Sequence, residues 1–130
     1  MKYAFENLEV WQKSRGLVKS VYQLTNAFPN EEKFGLTSQL RRASVSVSSN
    51  IAEGSTRWSR KDQARFYEIS FGSLIEVLNQ SILSNDLKFL KDDSLKNIRG
   101  DIDSIGRMLN SLYLSTKKPI NSKTYQPINL

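Results

Sequence analysis

The chain contains neither cysteine nor histidine. The first absence excludes disulfides and thiolate nucleophiles, and the second removes the commonest general base and the commonest side-chain metal ligand. No catalytic residue, cofactor site or metal site is therefore expected. Long apolar runs are missing as well. No stretch approaches the roughly 20 apolar residues of a membrane span, and the N-terminus, MKYAFENLEVWQKS, lacks the apolar core of a secretory signal. The expected location is the cytoplasm, with no membrane partner. Acidic residues are outnumbered, with 13 Asp and Glu against 19 Lys and Arg and a net charge of +6. That balance permits an anionic partner such as nucleic acid without requiring one. The 130 residues fit one domain, which at this size can bury roughly two-thirds of the surface of its unfolded chain.

The most informative absence is local: between Arg42 and Glu53 there is no charged residue. A helix on the surface of a small domain ordinarily carries a charged stripe opposite its apolar one, so an uncharged stretch of this length points to burial on more than one side. The stretch belongs to the second of four helices that periodicity predicts. The first runs from Leu8 to Phe28, ended by Pro29, with Val10, Trp11, Leu17, Val18, Val21 and Leu24 among the residues sharing under half of the wheel. After the turn-rich PNEEKFG, the second runs from about Leu36 to Glu53, with Thr37 as its expected cap. Leu36, Leu40, Ala43, Val47 and Ile51 form its core stripe. Val45 and Ala52 lie opposite, beside Ser38 and Ser48, and Gln39, Arg42, Ser46, Ser49, Asn50 and Glu53 make a polar row.

Ser59 and Asp62 resemble a capping box that opens a third helix, running to about Ser84. Its apolar residues, including Tyr67, Phe71, Leu74, Ile75 and Val77, spread over half of the wheel, so it too is expected to face two neighbours. The fourth runs from about Asp93 to Ser115, capped by Asp92, Asp93 or Ser94, with an ordinary single apolar face. Residues 117–130 hold two prolines and no periodicity and are expected to form an extended or disordered tail behind a domain of residues 1–116. Four helices with short connections argue for an all-α, antiparallel up-down-up-down four-helix bundle. The alternating run ASVSVSS has strand-like period, but the stripe continues on either side of it and a lone strand would have no partner.

A search for chemistry finds no phosphate loop and no metal-ligand spacing. The one serine three residues before a lysine, Ser115, falls at a helix end, and Asp101 and Asp103 point in different directions. The expectation is a protein that is not an enzyme.

The segment RRASVSVSSNIAEG, Arg41 to Gly54, resembles the signature of a bacterial four-helix bundle family whose genes were first noticed in intervening sequences of large-subunit ribosomal RNA genes. FENLEVWQKS near the N-terminus, FPNEEKFGLTSQLRRA and FGSLIE match further ordered motifs, so the resemblance covers about residues 5 to 115. It implies a ring of five subunits with a basic surface and no established enzymatic activity. A related protein, the accessory variability determinant of diversity-generating retroelements, is also a five-membered ring and binds nucleic acid and a reverse transcriptase. Two positions depart from the pattern. Ser48 stands where the family usually has proline, and Leu78 where a second glutamate often follows, which leaves Glu76 as the sole acid of that motif.

Two candidate surfaces follow. Arg41, Arg42, Val45, Ser49, Ala52, Glu53 and Glu76 are expected at a subunit interface, with Arg42 and Glu53 in ion pairs across it. Arg57, Trp58, Arg60, Lys61 and Arg65 make a basic cluster around one indole, the composition suited to gripping phosphates while a base stacks on the ring. The function expected is a homopentameric interaction or scaffold module with sequence-independent binding of RNA or DNA, with a reverse transcriptase or another protein as a further partner. The alternative is an oligomer with structural or protein-binding roles alone.

Overall fold

The structure is a computed structural model and describes residues 1–119. Four helices occupy nearly all of it: α1 (Glu9–Thr25), α2 (Leu36–Ser55), α3 (Arg60–Asp86) and α4 (Asp92–Ser115). Each helix packs on its neighbours in sequence and α1 closes against α4, while the diagonal pairs stay apart. That is the square section of an up-down-up-down bundle. The core stripes meet at its centre, where Leu17, Val21, Val47, Ile51, Leu74, Val77, Ile105 and Leu109 are almost completely buried. The tail expected from residue 117 onward lies mostly outside the described residues.

The helix ends differ from expectation in instructive ways. Gly35 is the N-cap of α2 and Thr37 is buried within its first turn; the free Leu36 amide instead donates to Glu32 Oε1, 3.2 Å away. A 3-10 turn at Asn30–Glu32 brings that carboxylate into place. Neither Asp93 nor Ser94 caps α4, whose N-cap is Lys91, and the Asp92 carboxylate accepts from Asn85 Nδ2 to tie the α3–α4 turn together. The expected cap of α3 is present, with Ser59 Oγ accepting from the Asp62 amide at 3.1 Å. A second 3-10 turn, Ala4–Asn7, precedes α1 and sets the Phe5 ring edge-on to Trp11 at 4.9 Å.

α2 and α3 make the closest pair. Their seam is lined by small residues, and it is polar where most helix seams are apolar. Ser70 Oγ donates to the Val47 carbonyl across it at 2.8 Å, both groups buried, and the Ser46 and Ser73 hydroxyls pair at 2.8 Å. Ser48 bonds back to the Val45 carbonyl at 3.0 Å, and α2 runs unbroken through it to Ser55. Gly54 therefore does not end the helix. No glycine has positive φ, and a Cβ at residue 54 would lie 2.7 Å from Tyr67 Cε1 and 3.0 Å from Phe66 Cβ. The residue is needed for close approach.

Two substitutions separate these effects. Gly54→Ala is expected to destabilise by about 1–3 kcal/mol through overpacking, whereas Gly16→Ala, with open space around it, should stabilise by about 0.5–1 kcal/mol. Urea denaturation at fixed protein concentration checks both, and equal effects would remove the packing argument. Lys88 sits between α3 and α4 at φ 69°, in a turn where the Phe89 amide reaches back to the Ser84 carbonyl at 2.8 Å. Glycine is the residue such a turn favours, so Lys88→Gly should raise stability by about 1 kcal/mol in the same measurement.

Candidate interaction interface

Both candidate surfaces flank the α2–α3 seam. The basic cluster lies where α2 ends and α3 begins, and its members divide by role. Arg60, on the first turn of α3, reaches across to the end of α4, where its guanidinium donates to the Ser115 carbonyl at 2.8 Å and also to the Lys118 carbonyl. The Ser115 carbonyl is among the last four of α4, which lack a partner within the helix ladder, and a cation there also interacts favourably with the helix dipole. Arg60 thus clasps the bundle end. Arg57 pairs with Glu53 at 3.4 Å one turn away and lies over the Phe66 ring, 4.4 Å from its centroid. Arg65 approaches the same ring at 5.2 Å, while Lys61 is exposed and Trp58 is 78% exposed. Trp58, Lys61 and Arg65 are the members that offer themselves to a ligand.

The residues expected at a subunit interface divide too. Arg41 turns inward to α1, with Nε donating to Thr25 Oγ1 at 2.9 Å, a terminal nitrogen to Asn26 Oδ1 at 3.1 Å, and the guanidinium 4.5 Å from the Tyr22 centroid. Its work is to join α1 to α2. Arg42, Val45, Ser49 and Glu53 are exposed on the outside of α2 and Ala52 is half-buried. Arg42 and Glu76 line a polar groove of ≈ 440 Å³ between α2 and α3, together with Gln39, Ser46, Ser73 and Gln80. Asn50 is half-buried, with its amide donating to the Ser46 carbonyl at 2.8 Å.

Sequence reasoning did not single out the outer edges of α3. Ile69 and Leu83 are exposed on the helical stripe of Glu76, which lines the groove toward α2, and Ile75, 46% exposed, follows one turn after Phe71, 42% exposed, which lines a groove toward α4. The second edge borders an apolar groove of ≈ 420 Å³ lined by Tyr67, Phe71, Leu109 and Tyr113 among others. The wide apolar arc of the third helix was the available signal; it was visible as an arc, but which part the bundle would leave uncovered depends on where α4 sits. No helix among the described residues is long and apolar enough to cross a membrane, and no group of three or more acidic residues there is placed to hold a metal ion.

An antiparallel four-helix bundle whose middle helices expose apolar and basic surface is the class of protein these observations define. Its family follows from comparison: residues 6–111 match the 23S rRNA-intervening sequence protein family, and the chain belongs to it. The fold is similar to that of a crystal structure of a protein with unknown function from the S23 ribosomal protein family of Bacteroides thetaiotaomicron VPI-5482. The two align with a TM-score of 0.74 at 24% identity, covering 80% of this chain and 97% of that one. No curated protein matches the sequence.

The division of labour within the basic cluster is open to measurement. Arg60→Ala should lower stability by about 1–2 kcal/mol, as expected for losing partly exposed hydrogen bonds from a charged donor, and should speed amide exchange at the end of α4. Lys61→Ala and Arg65→Ala should leave the melting curve within about 0.5 kcal/mol of the parent. Circular dichroism melts decide the point, and a silent Arg60→Ala would free that residue from its structural assignment.

Proposed function

We propose that this protein is a non-enzymatic, self-assembling four-helix bundle that acts as an interaction module, built as a ring of five subunits. The observation that carries the reading is α3. Tyr67, Leu74 and Val77 fill its inner face, yet Ile69, Phe71, Ile75 and Leu83 keep apolar surface exposed along both outer edges. An apolar arc of half the wheel is wider than the roughly 100° stripe that a helix with a single neighbouring face needs, and the excess calls for a second neighbour. The two edges differ in composition and neighbours, which suits a head-to-tail contact in which one edge of a subunit meets the other edge of the next. Such contacts close into rings when the rotation permits. The uncharged outer side of α2, with Val45, Ser49 and Ala52, extends the same surface, and the ring number is the one that the family resemblance implies.

Exposed Trp58 favours a second element of function, sequence-independent binding of RNA or DNA. The indole stands 78% exposed beside Lys61 and Arg65, an arrangement of stacking platform and cations that a single strand can use without base-specific contacts. A ring repeats that patch around its rim, so that weak sites act together. A partner protein such as a reverse transcriptase would bind the assembled ring.

The assembly reading predicts a mass well above 14.9 kDa at micromolar concentration by multi-angle light scattering. Phe71→Glu combined with Ile75→Glu should return the protein to a monomer that keeps its helical spectrum, since both side chains are already part-exposed. A parent protein that elutes as a monomer would defeat the reading.

A further inference from the structure

We infer that the α1–α2 face carries a separate groove for single-stranded nucleic acid, distant from the Trp58 loop. Two adjoining depressions share Tyr22. The first, ≈ 490 Å³, lies between the end of α1 and the start of α2 and is lined by Tyr22, Lys33, Phe34, Thr37, Arg41 and Arg42 among others. The second, ≈ 520 Å³, continues along α1 past Lys19 and Arg15 to Gln12. Five cations line the pair, Arg15, Lys19, Lys33, Arg41 and Arg42, and no carboxylate lines either. Among the described residues none of the five makes an ion pair, whereas elsewhere on the bundle Arg57 pairs with Glu53.

Geometry arranges these charges along a track. Gln12, Arg15, Lys19 and Tyr22 recur at three- and four-residue spacing and so share one stripe of α1, about 10 Å long from Arg15 to Tyr22 at the rise of an α-helix. Arg41 extends the track on to α2 with its guanidinium fixed against the Tyr22 ring by Thr25 and Asn26. Its position is set before any ligand arrives, so little side-chain entropy is lost on binding. Two aromatic rings border the cations: Tyr22 is 42% exposed and Phe34 88%. Lys33 approaches the Phe34 ring at 5.6 Å. Cations that follow a backbone, interleaved with exposed aromatic rings, form a surface for single strands, whose unpaired bases can stack as a duplex's cannot. The Trp58 loop lies beyond the far end of α2, more than ten residues of helix, or roughly 15 Å or more, from Arg42. The inference extends nucleic-acid binding to a second surface and does not depend on assembly, and each surface can be removed without the other.

The test is fluorescence anisotropy of the full chain with labelled 20-nucleotide oligo-dT and oligo-U over a salt series. A variant carrying Arg15→Ala, Lys19→Ala and Lys33→Ala should weaken binding and reduce the slope of log affinity against log salt by about 2, the counterion release of three single-strand phosphates. Phe34→Ala should lower affinity about fivefold to a hundredfold with the slope kept, as for loss of one stacked base. All four side chains are exposed, and circular dichroism melts matching the parent confirm folding. A control variant, Lys96→Ala with Arg99→Ala and Arg107→Ala on the outer face of α4, removes equal charge elsewhere and should change the slope little. Overturning results are an α1 variant with unchanged slope, a control that flattens the slope as much, or loss of all binding on Trp58→Ala with Lys61→Ala and Arg65→Ala. Binding to phosphatidylserine vesicles without binding to either oligonucleotide would also overturn it.

Discussion

The bundle depends on how closely α2 and α3 approach. Gly54 gives Tyr67 room that a methyl group would occupy, and Ser70 places a hydroxyl on the Val47 carbonyl across the seam. The second interaction satisfies Ser70, which is completely buried and would otherwise be an unpaired donor in a low-dielectric interior. Together they explain why a helix so rich in serine is stable inside a protein. Its buried and half-buried serines either pair across the seam, as Ser46 does, or bond back to their own helix, as Ser44 does to Arg41, Ser48 to Val45 and Ser55 to Ala52. Polar content here does not mean solvent exposure. It allows two backbones to come together with side chains that are both small and satisfied.

Close approach on one side has a consequence on the others. With α2 drawn tightly against α3, the small outer side of α2 and the two edges of α3 are left exposed among the described residues. Val45, Ile69, Phe71, Ile75 and Leu83 remain exposed although the core is complete without them. Scattered apolar residues on a surface need no explanation. Four of these on one helix, two to each edge, do need one, and the proposed neighbouring subunit would supply it with no change in the bundle.

Much of the fold was legible because periodicity reports burial directly. The stripe Leu40, Ala43, Val47 and Ile51 was visible in the sequence, and all four are buried. The cap of α3 was legible because Ser59 and Asp62 lie three residues apart, at the spacing of a capping box. What escaped were contacts that an irregular turn or the packing of another helix creates. Thr37 looked like a cap, but Glu32, folded back by a 3-10 turn, satisfies the Leu36 amide instead. Arg60 looked like a phosphate-binding residue because its neighbours are basic, and only the antiparallel placement of α4 brings the Ser115 carbonyl within its reach, 55 residues away. In the sequence Arg41 reads as a residue of a subunit interface, because only the fold brings Tyr22 and Asn26, at the end of the preceding helix, within its reach. A run of charges in a sequence states composition; which of them are already committed is decided by tertiary structure.

That distinction bears on how a basic protein of this family can hold an anion. Net charge raises the potential everywhere and favours encounter, yet affinity requires cations that no carboxylate neutralises and whose positions are already set. Where α2 gives way to α3, Arg57 is paired with the Glu53 carboxylate, and Arg60 keeps its charge but turns its donors to backbone carbonyls at the end of α4. On the α1–α2 face the same chemistry runs the other way. Arg41 is held in place by a hydroxyl, an amide oxygen and an aromatic ring, none of which cancels its charge. A guanidinium fixed by neutral partners retains its full attraction for phosphate, while one fixed by a carboxylate has spent it. By this criterion the groove beside Tyr22 is better prepared for a phosphate backbone than the more conspicuous cluster around Trp58.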